Sequence, residues 1–276
     1  MKLVDKEAGI VEYRPLSEAL GAEVLGLDMA APMDAGTAAS LREAFARHGL
    51  LLVRGQKVTT EQQTRFAQVF GDVVIREKNV VPSQEATAQH VSNTRKDGIL
   101  ATGELDFHMD QLFHQQPLTA LILYGIEVPA VGGDTRFCNT TAAYERMPGA
   151  LRDKIDGLQC RHAYTFAGAL AKDWNIDDAE IQPMSAVHPM VWRHPDTGRR
   201  AVWVNKMTTV EVLGLPEEEG RALMQEVRRY FYSDGVTYTH EWRVDDLVIW
   251  DNRLLQHART PVDESLPRTL RRSPII

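Results

Sequence analysis

The stretch DFHMDQLFHQQP, residues 106–117, places His108 two residues ahead of Asp110, with His114 following on the same even spacing. In an extended strand such residues share one face, so imidazole and carboxylate would project together. A His and an Asp joined by a second His from elsewhere can occupy one triangular face of an octahedral ion and leave three positions open. That arrangement suits non-haem Fe(II), although zinc sites also use mixed His and Asp ligands. His257, in VIWDNRLLQHARTP, is the best candidate for the third ligand because it lies just beyond an apolar run ending at Trp250 and Asp251. His114, His162, His188 and His240 compete with it. A second His-x-Asp pair, His194 and Asp196 in WRHPDTGRR, is surrounded by Pro195 and Gly198 and reads as a turn, not as a metal site.

Two arginines follow His257. Arg268 and Arg272 lie 11 and 15 residues beyond it. Their separation of four puts both guanidinium groups on one face of an extended strand, where each can bind a carboxylate in bidentate fashion.

The elements that must position these groups are mostly short and β-like. IVEYRPL and AEVLGLDM open the chain as strands, followed by a helix over DAGTAASLREAFARHG capped by Asp34, and by LLLVRG as a buried strand. TTEQQTRFAQVFG reads as a second helix, capped at Thr59 or Thr60 and ended by Gly71. Residues 73–105 show no long period and read as strand pieces with a loop. TALILYGIEV, PAVGGDTRFCN, HPMVW, RAVWVN, EWRVDDLVIWDN and RTLRRSPII are further strands. Helical segments lie at TAAYERMPGALRDKIDGL, interrupted near Pro148, and at PEEEGRALMQEVRRYFY. Many short strands with a few inserted helices predict a mainly β chain, a sandwich or jelly-roll barrel, in place of alternating βαβ units.

The bulk numbers narrow the function classes. With 276 residues and 43% apolar content the chain can bury a large core, and one domain over residues 1–276 is expected. It carries 31 basic against 38 acidic residues, a net charge of -7, so no general excess of cations stands ready for nucleic acid. No run approaches the roughly 18 apolar residues of a membrane span, and the N-terminus has no export signal. Cys138 and Cys160 form no CxxC pair, which predicts buried, reduced thiols and a cytoplasmic location.

Several separated segments occur together in one order: SLREAFARHGLLLVRGQ, FHMD, PAVGGDTRFCN, HPMVWRHPDTGRRAVWVN, and WDNRLLQHAR followed by PRTLRR. With them the chain resembles, over nearly its whole length, the taurine dioxygenase family of Fe(II)- and 2-oxoglutarate-dependent oxygenases. The resemblance implies a double-stranded β-helix, or jelly roll, with helical insertions. It also implies that His108, Asp110 and His257 bind Fe(II), that Thr135 helps hold 2-oxoglutarate, and that Arg268 pairs with the distal carboxylate of that cosubstrate. Arg272 matches a second arginine near the active centre, which in taurine dioxygenase meets the substrate sulfonate. The implied reaction consumes O2, hydroxylates an unactivated C–H and releases succinate and CO2.

Substrate positions depart from the family pattern. Arg76 stands where the family has a substrate-contacting His, Asn79 aligns with a family Tyr, Glu104 replaces an Asn, and Met207 corresponds to a Phe. Taurine is therefore not the expected substrate. A small anionic molecule such as a sulfonate, an aryloxy acid or an amino-acid-like carboxylate is expected, with no nucleic-acid or membrane partner and with self-association as a dimer or tetramer. A zinc hydrolase and a non-catalytic β-domain are the alternatives; the first leaves Thr135 and Arg268 without a joint role, and the second leaves the whole constellation unused.

Overall fold

The computed structural model describes residues 11–75, 85–100, 103–164 and 185–276. It begins with a hairpin of β1 (Glu12–Pro15) and β2 (Ala22–Leu25), followed by α1 (Ala35–His48), β3 (Leu50–Val53) and α2 (Thr60–Ala67). Asp34 caps α1 by accepting from the Thr37 N–H, as the sequence predicts, and Gly49 ends it at φ 70°. In α2, Thr59 and Gln62 each accept from the other's backbone N–H, and the helix stops at Ala67, short of the expected Gly71.

Next come β4 (Gln89–Ser92), β5 (Gly98–Ile99), β6 (Leu105–His108), β7 (Ala120–Glu127) and β8 (Thr135–Asn139). α3 (Thr140–Arg146) and α4 (Gly149–Ile155) are separated at Pro148, where the helical segment was expected to break. The chain continues through β9 (Gln159–Ala163), β10 (Ser185–Pro189), β11 (Val191–Arg193), β12 (Arg200–Val202) and β13 (Thr209–Val212). It ends with α5 (Glu217–Arg228), β14 (Thr237–His240), β15 (Leu247–Asp251), β16 (Leu255–Arg259) and β17 (Thr269–Ile275). Among the described residues, no helix is long and apolar enough to cross a membrane.

Two sheets dominate. The larger runs β1-β2-β3-β15-β7-β17-β4-β5, and the smaller runs β14-β8-β16-β6. All pairings within them are antiparallel except β2 with β3 and β4 with β5.

The apolar residues of the central strands alternate between two cores, because successive side chains leave a strand on opposite faces. Leu121 and Leu123 of β7, Val248 and Trp250 of β15 and Leu270 of β17 meet Phe137 and Leu255 of the smaller sheet. Ile122 and Tyr124 of β7 and Leu247 and Ile249 of β15 point the other way, onto Leu41, Phe45 and Phe66 of the first two helices. The outer face of the smaller sheet, with Cys138 and Ala258, packs on α3, α4 and α5 through Tyr144, Leu151, Leu223 and Val227. Helices thus cover the outer faces of both sheets, and the inner faces enclose the core into which the candidate ligands open.

Two strands differ from expectation. EWRVDDLVIWDN is extended only from Leu247, because Asp245 takes a left-handed φ of 66° and the Asp246 carboxylate accepts from the Arg243 N–H and the Arg54 guanidinium. The strand through FHMDQLF ends at His108, before Asp110.

Phe137 is fully buried and sits edge-on to Trp250 at 5.3 Å, joining the two sheets. Phe137→Ala is expected to cost about 3–5 kcal/mol in denaturant unfolding; a loss below about 1 kcal/mol would mean that this contact does not hold the sheets together.

Candidate metal centre

β6 and β16 pair antiparallel with His108 directly opposite His257. Directly opposed residues share a face, so the two imidazoles emerge side by side toward the larger sheet, their centroids 4.2 Å apart. His108 Nδ1 lies 2.8 Å from the Asp106 carbonyl, which can only accept, so Nδ1 carries a proton and Nε2 faces the site.

Asp110 reaches the same point by another route. After His108 the chain turns, Gln111 adopts a left-handed φ of 59°, and the His114 N–H closes the turn on the Gln111 carbonyl. The expectation that His108, Asp110 and His114 share one strand face is therefore corrected. His108 ends the strand, Asp110 projects from the turn, and His114 is carried away, its carbonyl accepting from His188 Nε2 at 2.9 Å.

The carboxylate of Asp110 is divided between two tasks. Oδ1 lies 3.1 Å from His108 Nε2 and 3.8 Å from His257 Nε2, while Oδ2 accepts from Arg272 Nη2 at 2.5 Å. Burial alone would raise the Asp110 pKa, but the Arg272 guanidinium beside Oδ2 holds it well below the ordinary carboxylate range. Burial, reinforced by His108, pushes the His257 imidazole down to about 3, which keeps it neutral. His257 Nδ1 is buried without a hydrogen-bond partner among the described residues.

Among the described residues, His108, Asp110 and His257 are the one group of three whose ligand atoms all lie within 4.8 Å of one another. Two imidazole nitrogens and one carboxylate oxygen converge there. The donor set and its closeness fit a divalent first-row metal, with one side left for further ligands.

The cavity that holds these three side chains continues to Thr135, Arg268 and Arg272. Arg268 is buried, and its Nε and Nη2 both donate to the Gly133 carbonyl at 3.0 and 2.8 Å. Burial, with the like charge of Arg259, pushes its pKa down to about 9, and among the described residues no carboxylate stands within ion-pair distance of it. A buried guanidinium without a direct ion-pair partner is a strong attractor for an anion. Thr135 accepts from the Trp242 indole N–H at 2.9 Å, so its own hydroxyl proton remains free to donate.

Of the other residues singled out in the sequence, Glu104 is exposed and Met207 sits in the turn after Asn205, and neither lines the cavity. Arg76 and Asn79 lie outside the described residues. His162 bonds to Thr209, and His240 lies beside Asp246. His194 sits between β11 and β12, accepting from the Asp196 and Thr197 N–H groups and facing Asp251, in keeping with the turn predicted there.

Sequence reasoning missed three supporting residues. Gln89, buried on β4, accepts from Arg272 Nη1 at 2.5 Å, and nothing in its patternless stretch marks it. Trp242 fixes Thr135 from a segment expected to be plain strand. Gly133 has a φ of 69°, and a Cβ there would lie 2.7 Å from Arg268 Nε, so the glycine of VGGDT makes room for the arginine.

Residues 12–273 match the family model described as "Taurine catabolism dioxygenase TauD, TfdA family". The chain is 30% identical to the alpha-ketoglutarate-dependent 2,4-dichlorophenoxyacetate dioxygenase of Cupriavidus pinatubonensis, across 95% of this chain and 96% of that enzyme. It is 29% identical to the alpha-ketoglutarate-dependent sulfate ester dioxygenase of Pseudomonas putida, across 95% of this chain and 88% of that enzyme. A taurine dioxygenase from Burkholderia xenovorans superimposes with a TM-score of 0.81 at 26% identity, over 96% of this chain and 89% of that one. The structure of AAD-2 with Mn(II) and N-oxalylglycine superimposes with a TM-score of 0.82 at 26% identity, over 96% and 97%. Enzymes of this family use Fe(II), 2-oxoglutarate and O2. The chain belongs to the TauD, TfdA family and is a 2-oxoglutarate-dependent dioxygenase.

Proposed function

We propose that this dioxygenase, a single domain over residues 1–276 with a double-stranded β-helix core, hydroxylates an unactivated C–H of a small anionic organic molecule. Sulfonates, aryloxy acids and amino-acid-like carboxylates are the candidate substrate classes. In this reading His108, Asp110 and His257 hold Fe(II), while Thr135 and Arg268 hold the distal carboxylate of 2-oxoglutarate. When bound, the metal with 2-oxoglutarate and O2 supplies the oxidising equivalents, and the cosubstrate leaves as succinate and CO2 as the hydroxyl is installed.

The observation that carries the reading is the convergence of two Nε2 atoms and one Oδ1 in a cavity that also contains a buried arginine with no ion-paired carboxylate among the described residues. The protein's own contribution is placement and charge. Arg268 and the Thr135 hydroxyl offer donors to a carboxylate, with Gly133 and Trp242 fixing their directions. Arg272 keeps Asp110 ionised and occupies Oδ2, which leaves Oδ1 for the metal. The Asp110–Arg272 pair is neutral, so a divalent cation makes this cluster doubly positive and favours anions as cosubstrate and substrate alike. The relatives named for 2,4-dichlorophenoxyacetate and sulfate esters act on molecules of that charge type.

Anaerobic titration of the metal-free protein with Fe(II) and then 2-oxoglutarate is expected to develop the weak visible charge-transfer band of the chelate. In Arg268→Gln, half-saturation with 2-oxoglutarate is expected to rise at least about tenfold, since tenfold corresponds to only about 1.4 kcal/mol. An unchanged midpoint would remove Arg268 from the cosubstrate site. Metal binding requires ionised Asp110. Arg272→Gln removes the strongest influence lowering that pKa, so the pH at half-maximal Fe(II) binding should move upward. A coincident pH profile would show that Arg272 does not set the charge of Asp110.

A further inference from the structure

We infer that Asn252 is a positioning residue for the metal centre, acting through the main chain of Asp110; the inference rests on reading Asp110 as a metal ligand. Asn252 is completely buried. Its Oδ1 accepts from the Asp110 N–H at 2.8 Å, and its Nδ2 donates to the Asp110 carbonyl at 2.9 Å and to the Leu118 carbonyl at 3.0 Å. Every partner has fixed polarity, so the orientation of the carboxamide is determined by its neighbours. All three of its strong hydrogen-bonding directions toward this segment are used.

The chemistry of that contact is the chemistry of a β-ladder. A carboxamide is a side-chain peptide group, and here it offers one acceptor and one donor to a single residue, as an opposing strand would. β6 ends at His108 opposite His257, and Asp110 lies two residues beyond, where the turn has left the ladder. Asn252 supplies the missing rung. The residue is itself anchored, with its N–H on the Thr119 carbonyl and its turn closed by the Leu254 N–H on the Asp251 carbonyl.

An aspartate side chain is short, so the position of its carboxylate follows closely from the position of its Cα. With the backbone of Asp110 held on both edges, Oδ1 stays 3.1 Å from His108 Nε2 and Oδ2 stays on Arg272. Without the clamp, a buried N–H and a buried carbonyl lose their partners, and the turn is free to relax and draw the carboxylate off the imidazoles.

The test is Co(II) titration of metal-free protein, followed by the visible ligand-field absorption. Asn252→Ala is expected to raise the Kd about 10- to 100-fold and to alter the absorption envelope at saturation. Val227→Ala, a remote core truncation in α5, serves as the destabilised comparator and is expected to keep the parent Kd and spectrum. Equal Kd values for Asn252→Ala and parent, or equal losses in both variants, would overturn the inference. A readout independent of any variant is deuterium exchange in the metal-free parent. The Asp110 amide is expected to exchange about 100-fold more slowly than the exposed Glu104 amide, and equal rates would overturn the clamp even if the substituted protein failed to fold. If Asp110→Ala binds Co(II) as tightly as the parent, the three-ligand reading falls, and this inference with it.

Discussion

A carboxylate removed from water must be compensated, and the rest of this molecule is arranged around that constraint at Asp110. Its side chain is 17% exposed, and an unpaired charge in such a place costs several kcal/mol. The compensation comes from Arg272, which approaches from β17 in the larger sheet, at a point where β6 and β16 of the smaller sheet bring up two imidazoles. The cluster exists only where the two sheets meet, so the packing of Phe137 on Trp250 between them also maintains the centre.

Strand parity turns one segment into three different devices. On β17 and the residue before it, Arg268, Leu270 and Arg272 face the cavity, whereas Arg271 faces outward. There it packs over the Tyr124 ring at 4.8 Å and bonds to Gln63 and the Val58 carbonyl, joining α2 to the sheet. A one-residue slip of register would exchange the anion-facing arginines with the structural one. The pairing of β17 with β7 and β4, and its side-chain ties, are therefore also what determines which guanidinium meets an anion.

That parity was legible in the sequence, because even spacing is a property of any extended chain. So was the N-cap of α1, where Asp34 has a type that local backbone geometry demands. The candidate centre was legible as a set of residue types, since only a few side chains can hold a hard divalent cation. Its shape was not. The departure of Asp110 from the strand depends on a left-handed Gln111, a residue whose type gives no warning of it. Gln89 and Asn252 matter through partners 183 and 142 residues away, and such contacts leave no periodic trace in the local sequence. EWRVDD misled for a related reason: its alternation is that of a strand, but Asp245 and Asp246 answer to Tyr124 and Arg54 from other strands.

The pairing of His108 with His257 also has a bearing on how the protein is made. A chain synthesised from its N-terminus displays His108 and Asp110 well before β16 and β17 exist, and 162 residues separate Asp110 from the guanidinium that compensates it. Until those last strands dock, a nascent chain offers His108 on an unpaired β6 and Asp110 on the turn after it, in place of a closed site. On the reading of these residues as metal ligands, metal loading waits for the completed fold, and a redox-active ion is not held by a half-built cavity.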